Sequence, residues 1–187
     1  MNIIFECLIQ HMPCAALEQK VLTNMKTTFK SAVAIATVLG ASQVATAAPV
    51  KFEAAVSQKE AIKLDFADGT KHFFLLVHRE GKSDGQGPLA GASVNEYGAH
   101  DIVPGVGGEP RGYLEFTKDG DKAYIKWSIL AVFVPGPDGK PKLLDNGVWQ
   151  VVSGTGKLAG LKGAGTFHLL PTGAVDRKFV LEGELSQ

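Results

Sequence analysis

From residue 59 to residue 185 the chain alternates apolar and polar side chains with a period of two, in one short run after another. A period of two places alternate side chains on opposite faces of a strand, whereas a helix would repeat at 3.6. Helical periodicity is almost absent over the same span. Glycine reinforces the reading, since 21 of the 22 glycines follow residue 47. That density suits tight turns and curved strands and is hostile to long helices.

Residues 59–66 put Ile62, Leu64 and Phe66 on one face and Lys63 and Asp65 on the other. A turn at residues 67–70 follows, with Gly69 free to take a positive φ. Residues 71–80 form the next strand, whose centre, residues 73–77, is apolar on both faces. Either both faces are buried, or one faces an apolar cavity. Residues 81–87 read as a polar loop, residues 94–103 as a bent strand and residues 104–110 as a flexible loop. Residues 112–118 and 121–134 flank Asp119-Gly120, a dipeptide that favours a tight hairpin turn. On the second of these strands Ile125, Trp127, Ile129, Ala131 and Phe133 share a face. After a reversal at residues 135–141, strands are expected at 142–153, through 170 and at 177–185. Eight or nine strands joined by hairpin-length turns imply an antiparallel all-β fold. Closing the sheet into a barrel removes its exposed edges, and a two-sheet sandwich is the alternative.

Residues 1–47 have a different character. Lys26 and Lys30 precede an apolar stretch, residues 31–44, and Ala45-Thr46-Ala47 forms an A-x-A cleavage signal. Fourteen helical residues span about 21 Å, short of the roughly 30 Å of a bilayer core. No cysteine follows the stretch, so a lipoprotein anchor is excluded. The expected organisation is a start-site extension at residues 1–24, a signal peptide at 25–47 and one folded domain at 48–187. This implies a periplasmic or secreted protein of bacterial type, with no membrane anchor after cleavage. Taking the leader's three basic residues (Lys20, Lys26, Lys30) and two acidic ones (Glu6, Glu18) from the 19 of each sign leaves 16 and 17. A net charge of −1 does not suit a nucleic-acid partner, which calls for a basic excess on one face. Both cysteines, Cys7 and Cys14, lie in the leader, which removes disulfides, thiolate zinc and cysteine nucleophiles from the mature chain.

The run Val151-Val152-Ser153-Gly154-Thr155-Gly156-Lys157-Leu158-Ala159-Gly160-Leu161-Lys162-Gly163-Ala164-Gly165-Thr166 resembles the Gly-Gly-Thr/Ser-Gly-x-Phe-x-Gly-x-x-Gly pattern of the allene oxide cyclase and dirigent barrel superfamily. The resemblance covers about sixteen residues closely and the strand order after Gly112 loosely. It implies an eight-stranded antiparallel, calycin-like barrel with an apolar cavity. The cyclases use a glutamate and an asparagine close together on an early strand. Residues 50–66 hold no Glu-x-Asn, so no catalytic role is carried over.

Other chemistry is thinly represented. A P-loop would need glycine and Ser/Thr where Val151 and Leu158 stand, and the dinucleotide fingerprint fails on spacing. His72 and His78 are about 20 Å apart along an unbroken strand, too far for one metal. No metal or cofactor is therefore expected. His100-Asp101 lies between Glu96 and a Pro/Gly-rich loop, where a histidine beside carboxylates suits general-base work. The two side chains point to opposite faces if the segment is a strand. Glu96, His100 and Glu115 are the catalytic candidates. Phe74, Tyr113 and Trp127, with Trp149, are the candidates to line an apolar pocket. The function these features support is binding of a small apolar ligand inside the barrel. An isomerase or cyclase acting on a hydrophobic substrate is the alternative, and a homo-oligomer or partner-binding module stays open. N-terminal sequencing of the exported protein is expected to begin at Ala48, and intact residues 1–24 in that material would contradict the leader assignment.

Overall fold

A computed structural model describes residues 46–187. The leader boundaries at residues 24 and 25 lie outside the described residues. Nine strands follow in order: β1 Ala48–Asp65, β2 Phe73–Gly85, β3 Ser93–Val103, β4 Gly107–Gly108, β5 Arg111–Lys118, β6 Asp121–Pro135, β7 Pro141–Gly154, β8 Lys162–Pro171 and β9 Arg177–Ser186. All pairings are antiparallel. β1 pairs with β2, β2 with β3, β3 with β5, and so on through β9, which returns to pair with β1. The result is a closed, up-and-down, eight-stranded barrel. The two-residue β4 wedges between the ends of β3 and β6 beyond the start of β5.

The hairpin expected at Asp119-Gly120 is present. Both residues take positive φ, 53° and 87°, as a type I′ turn requires. Three other boundaries differ from the sequence reading. β1 starts at Ala48 rather than residue 59, and β2 runs on through residues 81–85 where a loop was expected. Gly81 lies so close to the Ala55 carbonyl that a Cβ would meet it at 1.8 Å, so a residue that looks like a loop former is a close-approach position within a strand. The loop at residues 104–110 contains β4.

The inward face carries large side chains in one half of the barrel. Trp127 stacks on Phe167 with centroids 5.0 Å apart, and Phe167 lies 5.3 Å from Phe179. Phe52 packs edge-on against Phe116 and Trp149. These rings are fully or almost fully buried, and each stabilises the fold by about 1.5–3 kcal/mol relative to exposure. Two plugs shut this end. One is the turn carrying Leu89 and Ala92, tied down by Ser83, whose hydroxyl accepts from the Ala92 N–H at 3.1 Å and bonds to the Leu89 carbonyl. The other is the single 3-10 turn Gly156–Leu158, which buries Leu158 and is followed by the buried Leu161.

At the opposite end the barrel is open. β1 leaves β9 after the Val56–Arg177 pair and shifts register between Gln58 and Glu60. It then continues beside β2 alone, with Ile62 and Leu64 exposed on the outer side.

Close approach of β8 and β9 depends on Gly165, where a Cβ would sit 1.9 Å from the Glu182 carbonyl oxygen. Gly165→Ala is expected to lower stability by at least about 1–3 kcal/mol in urea denaturation. An unchanged midpoint would contradict the observed register.

Candidate functional site

The open end forms a recess of about 190 Å³. Its walls are apolar: Phe73 and Leu75 from β2, Ile102 from β3, Ile129 and Phe133 from β6, and Leu169 from β8 are among them. Arg79 and His100 lie at its base, and Asp145 and Arg177 also line it.

Strand parity explains how charge reaches the interior. On β2, Phe73, Leu75, Val77 and Arg79 share the inward face. Arg79 stands directly opposite Glu96 of β3. The Arg79 guanidinium donates from Nη1 to Glu96 Oε2 at 2.6 Å, and both side chains are essentially unexposed. Arg79 Nε donates to the Val175 carbonyl at 3.3 Å. Two positions along β3 from Glu96, Gly98 leaves a gap over which Glu96 Oε1 and His100 Nε2 face each other at 3.4 Å. A Cβ on Gly98 would lie 2.7 Å from Oε1 and 2.8 Å from Nε2, so only glycine admits this arrangement. Among the described residues neither of those atoms has a hydrogen-bond partner, and the buried Trp127 Nε1 has none either. Buried polar atoms without partners are uncommon and mark a place for water or for a ligand's polar group.

The other two charged groups differ from each other. Asp145 is engaged: Oδ2 accepts from the Leu169 N–H at 2.8 Å, and Oδ1 lies 3.4 Å from His168 Nδ1. Arg177 donates from Nη1 to the carbonyls of Gly173 and Asp176, at 3.4 and 2.7 Å. No carboxylate lies within 4.0 Å of it among the described residues. Partial burial, and then the nearby Arg79 charge, hold its pKa below the usual arginine range.

Of the residues singled out by sequence, Glu96, His100 and Trp127 point into the barrel and gather near its centre, and Trp149 is buried against Phe52 in the packed half. Trp127 contributes to the packed floor and lies 5.8 Å, centroid to centroid, from the His100 ring. The remaining three project outward. Phe74 is out because Phe73 and Leu75 are in. Tyr113 and Glu115 are out because the buried Leu114 and Phe116 fix the opposite parity on β5. Glu115 pairs there with Lys122 at 3.0 Å. Tyr113 borders an outer groove of about 650 Å³ that is also lined by Ile62, Leu76, His78 and Tyr97. Asp101, beside His100, faces outward as expected and accepts from His72 Nε2 at 2.5 Å. Among the described residues no group of three or more His, Cys, Asp and Glu side chains is placed to hold a metal ion.

Arg79 and Arg177 escaped the sequence reading. The available signal was their phase: Arg79 continues the face of Phe73, Leu75 and Val77, and Arg177 that of Phe179 and Leu181.

No protein-family model matches the chain. No curated protein matches it either. Solved structures similar in backbone include the following two. One is a conserved protein of unknown function from Rhodopseudomonas palustris, with a TM-score of 0.46 and 16% identity over 75% of this chain and 98% of that one. The other is a protein of unknown function from the DUF3224 family, from Shewanella oneidensis MR-1, with a TM-score of 0.40 and 15% identity over 76% of this chain and 98% of that one.

Breaking the buried pair from one side strands a charge. Glu96→Leu is therefore expected to cost about 3–5 kcal/mol, and the double substitution Arg79→Met with Glu96→Leu markedly less. Urea denaturation of both variants checks this, and equal losses would contradict the pairing.

Proposed function

We propose that the protein is exported and binds a small, largely apolar molecule in the open end of its barrel. The observation that carries the reading is the recess itself: an apolar-walled space left unfilled above an aromatic floor packed tightly enough to bury both indoles. Interiors are normally filled to near-crystalline density, so a vacant apolar space at one end of a closed barrel calls for an occupant. Its volume sets the scale. A cavity of roughly 150 Å³ holds benzene, so about eight non-hydrogen atoms fit within the recess of about 190 Å³, and a longer molecule would have to protrude. Export is supported by the start of β1 at Ala48, the residue after the A-x-A signal, with Thr46 and Ala47 exposed ahead of it.

An isomerase or cyclase of the allene oxide cyclase kind is a second reading. It draws on the enclosed Glu96 and His100, a carboxylate and an imidazole that face each other at 3.4 Å at the base of the recess.

Toluene or indole is expected to raise the melting temperature saturably and to alter tryptophan fluorescence. At one hundred times Kd the stabilisation should approach about 2.7 kcal/mol. Ala131→Phe, which fills the recess from β6, should abolish the effect while leaving the fold intact. No response in the unmodified protein would defeat the binding reading. Conversion of a bound compound that stops in Glu96→Gln would favour the second one.

A further inference from the structure

We infer that the occupant of the recess is a small carboxylic acid, its apolar body held by the walls and its carboxylate by Arg177. This deepens the binding reading above and rests on it.

Four charged or ionisable groups line the recess, and three are already accounted for. Arg79 is matched by Glu96, His100 faces the same carboxylate, and Asp145 lies against His168 and the Leu169 amide. Of the four, Arg177 alone has no opposite charge within 4.0 Å among the described residues. Among the described residues its acceptors are two backbone carbonyls, and both bonds come from Nη1. Nε and Nη2 have no acceptor among the described residues. A guanidinium presents its donors as a planar fork that fits the two oxygens of a carboxylate.

Placement supports the same conclusion. Arg177 opens β9, paired with Val56 of β1 and Pro171 of β8, on the face that continues through Phe179 into the core. Partial burial beside Arg79 makes the charge costly there, the more distant Glu96 and Asp176 carboxylates offset that cost only in part, and a bound anion reduces it further. A simple inorganic anion would satisfy Arg177 but leave the apolar walls empty. A neutral hydrocarbon would do the reverse. A compact acid such as an arylacetate satisfies both.

The test compares phenylacetate with its neutral amide, phenylacetamide, by titration calorimetry on the unmodified protein, Arg177→Gln and Arg177→Lys. Phenylacetate should bind the unmodified protein about tenfold tighter or more. Arg177→Gln should lose that preference and keep its affinity for the amide, which shows that the recess survives the substitution. Arg177→Lys should retain part of the preference. Equal affinities for the two compounds on the unmodified protein would overturn the acid assignment and leave the apolar site standing. So would a preference that persists in Arg177→Gln. Failure of both compounds to bind the unmodified protein would overturn the binding reading as well. Should Arg177→Gln not fold, the affinity ratio on the unmodified protein decides by itself.

Discussion

Closure of the barrel by the β1–β9 ladder fixes everything else in this protein. Once β9 returns to β1, every strand has a defined inner face, and only alternate residues can enter a space of limited volume. Six aromatic side chains take up that space in one half, and the Leu89 and Leu158 turns shut it. The other half receives Phe73, Phe133 and aliphatic side chains that line the space without filling it, and the wall is incomplete because β1 departs from β9 after Val56. The recess follows from how side-chain volume is distributed along the strands. No separate structural element is needed to make it.

The buried Arg79–Glu96 pair lies between the two halves. Such pairs seldom add net stability compared with a well-packed apolar alternative. Its presence is better understood as placing polarity where the packed floor meets the recess. Gly98 is part of the same device, since any side chain there would separate Glu96 from His100. The Glu96 and His100 atoms without partners among the described residues, together with Arg177, give an otherwise greasy space a polar side. The larger outer groove beside Tyr113 has charged side chains too, Arg111 and Lys126 among them, but neither Glu96 nor His100 reaches it. It is lined by the outward residues of the same strands and opens widely to solvent.

Much of this architecture can be read from local pattern. The Asp119-Gly120 turn and the inward face of β6 from Ile125 to Phe133 depend on turn chemistry and alternation, both visible in a short window. The phase of residues 73–77 does not. All five are apolar, so alternation is silent, and the choice of Phe73 over Phe74 as the inward ring is made by the distant partner of Arg79. The same holds for residues 81–85, whose glycines and polar groups look like a loop until the neighbouring Ala55 backbone demands a residue without a side chain. Glu96 and His100 were recognisable as chemistry but not as neighbours. Their meeting depends on the gap at Gly98, and the arginines that complete the site come from other strands.

The central claim is that the open end of the barrel, and not its outer surface, receives a small apolar molecule. Methyl NMR with toluene tests this most directly. Shifts confined to Ile102, Ile129, Leu143 and Leu169, with Leu89, Leu114 and Leu158 unmoved, are the predicted result. Shifts at Ile62 and Leu76 on the outer groove, or none anywhere, would contradict it.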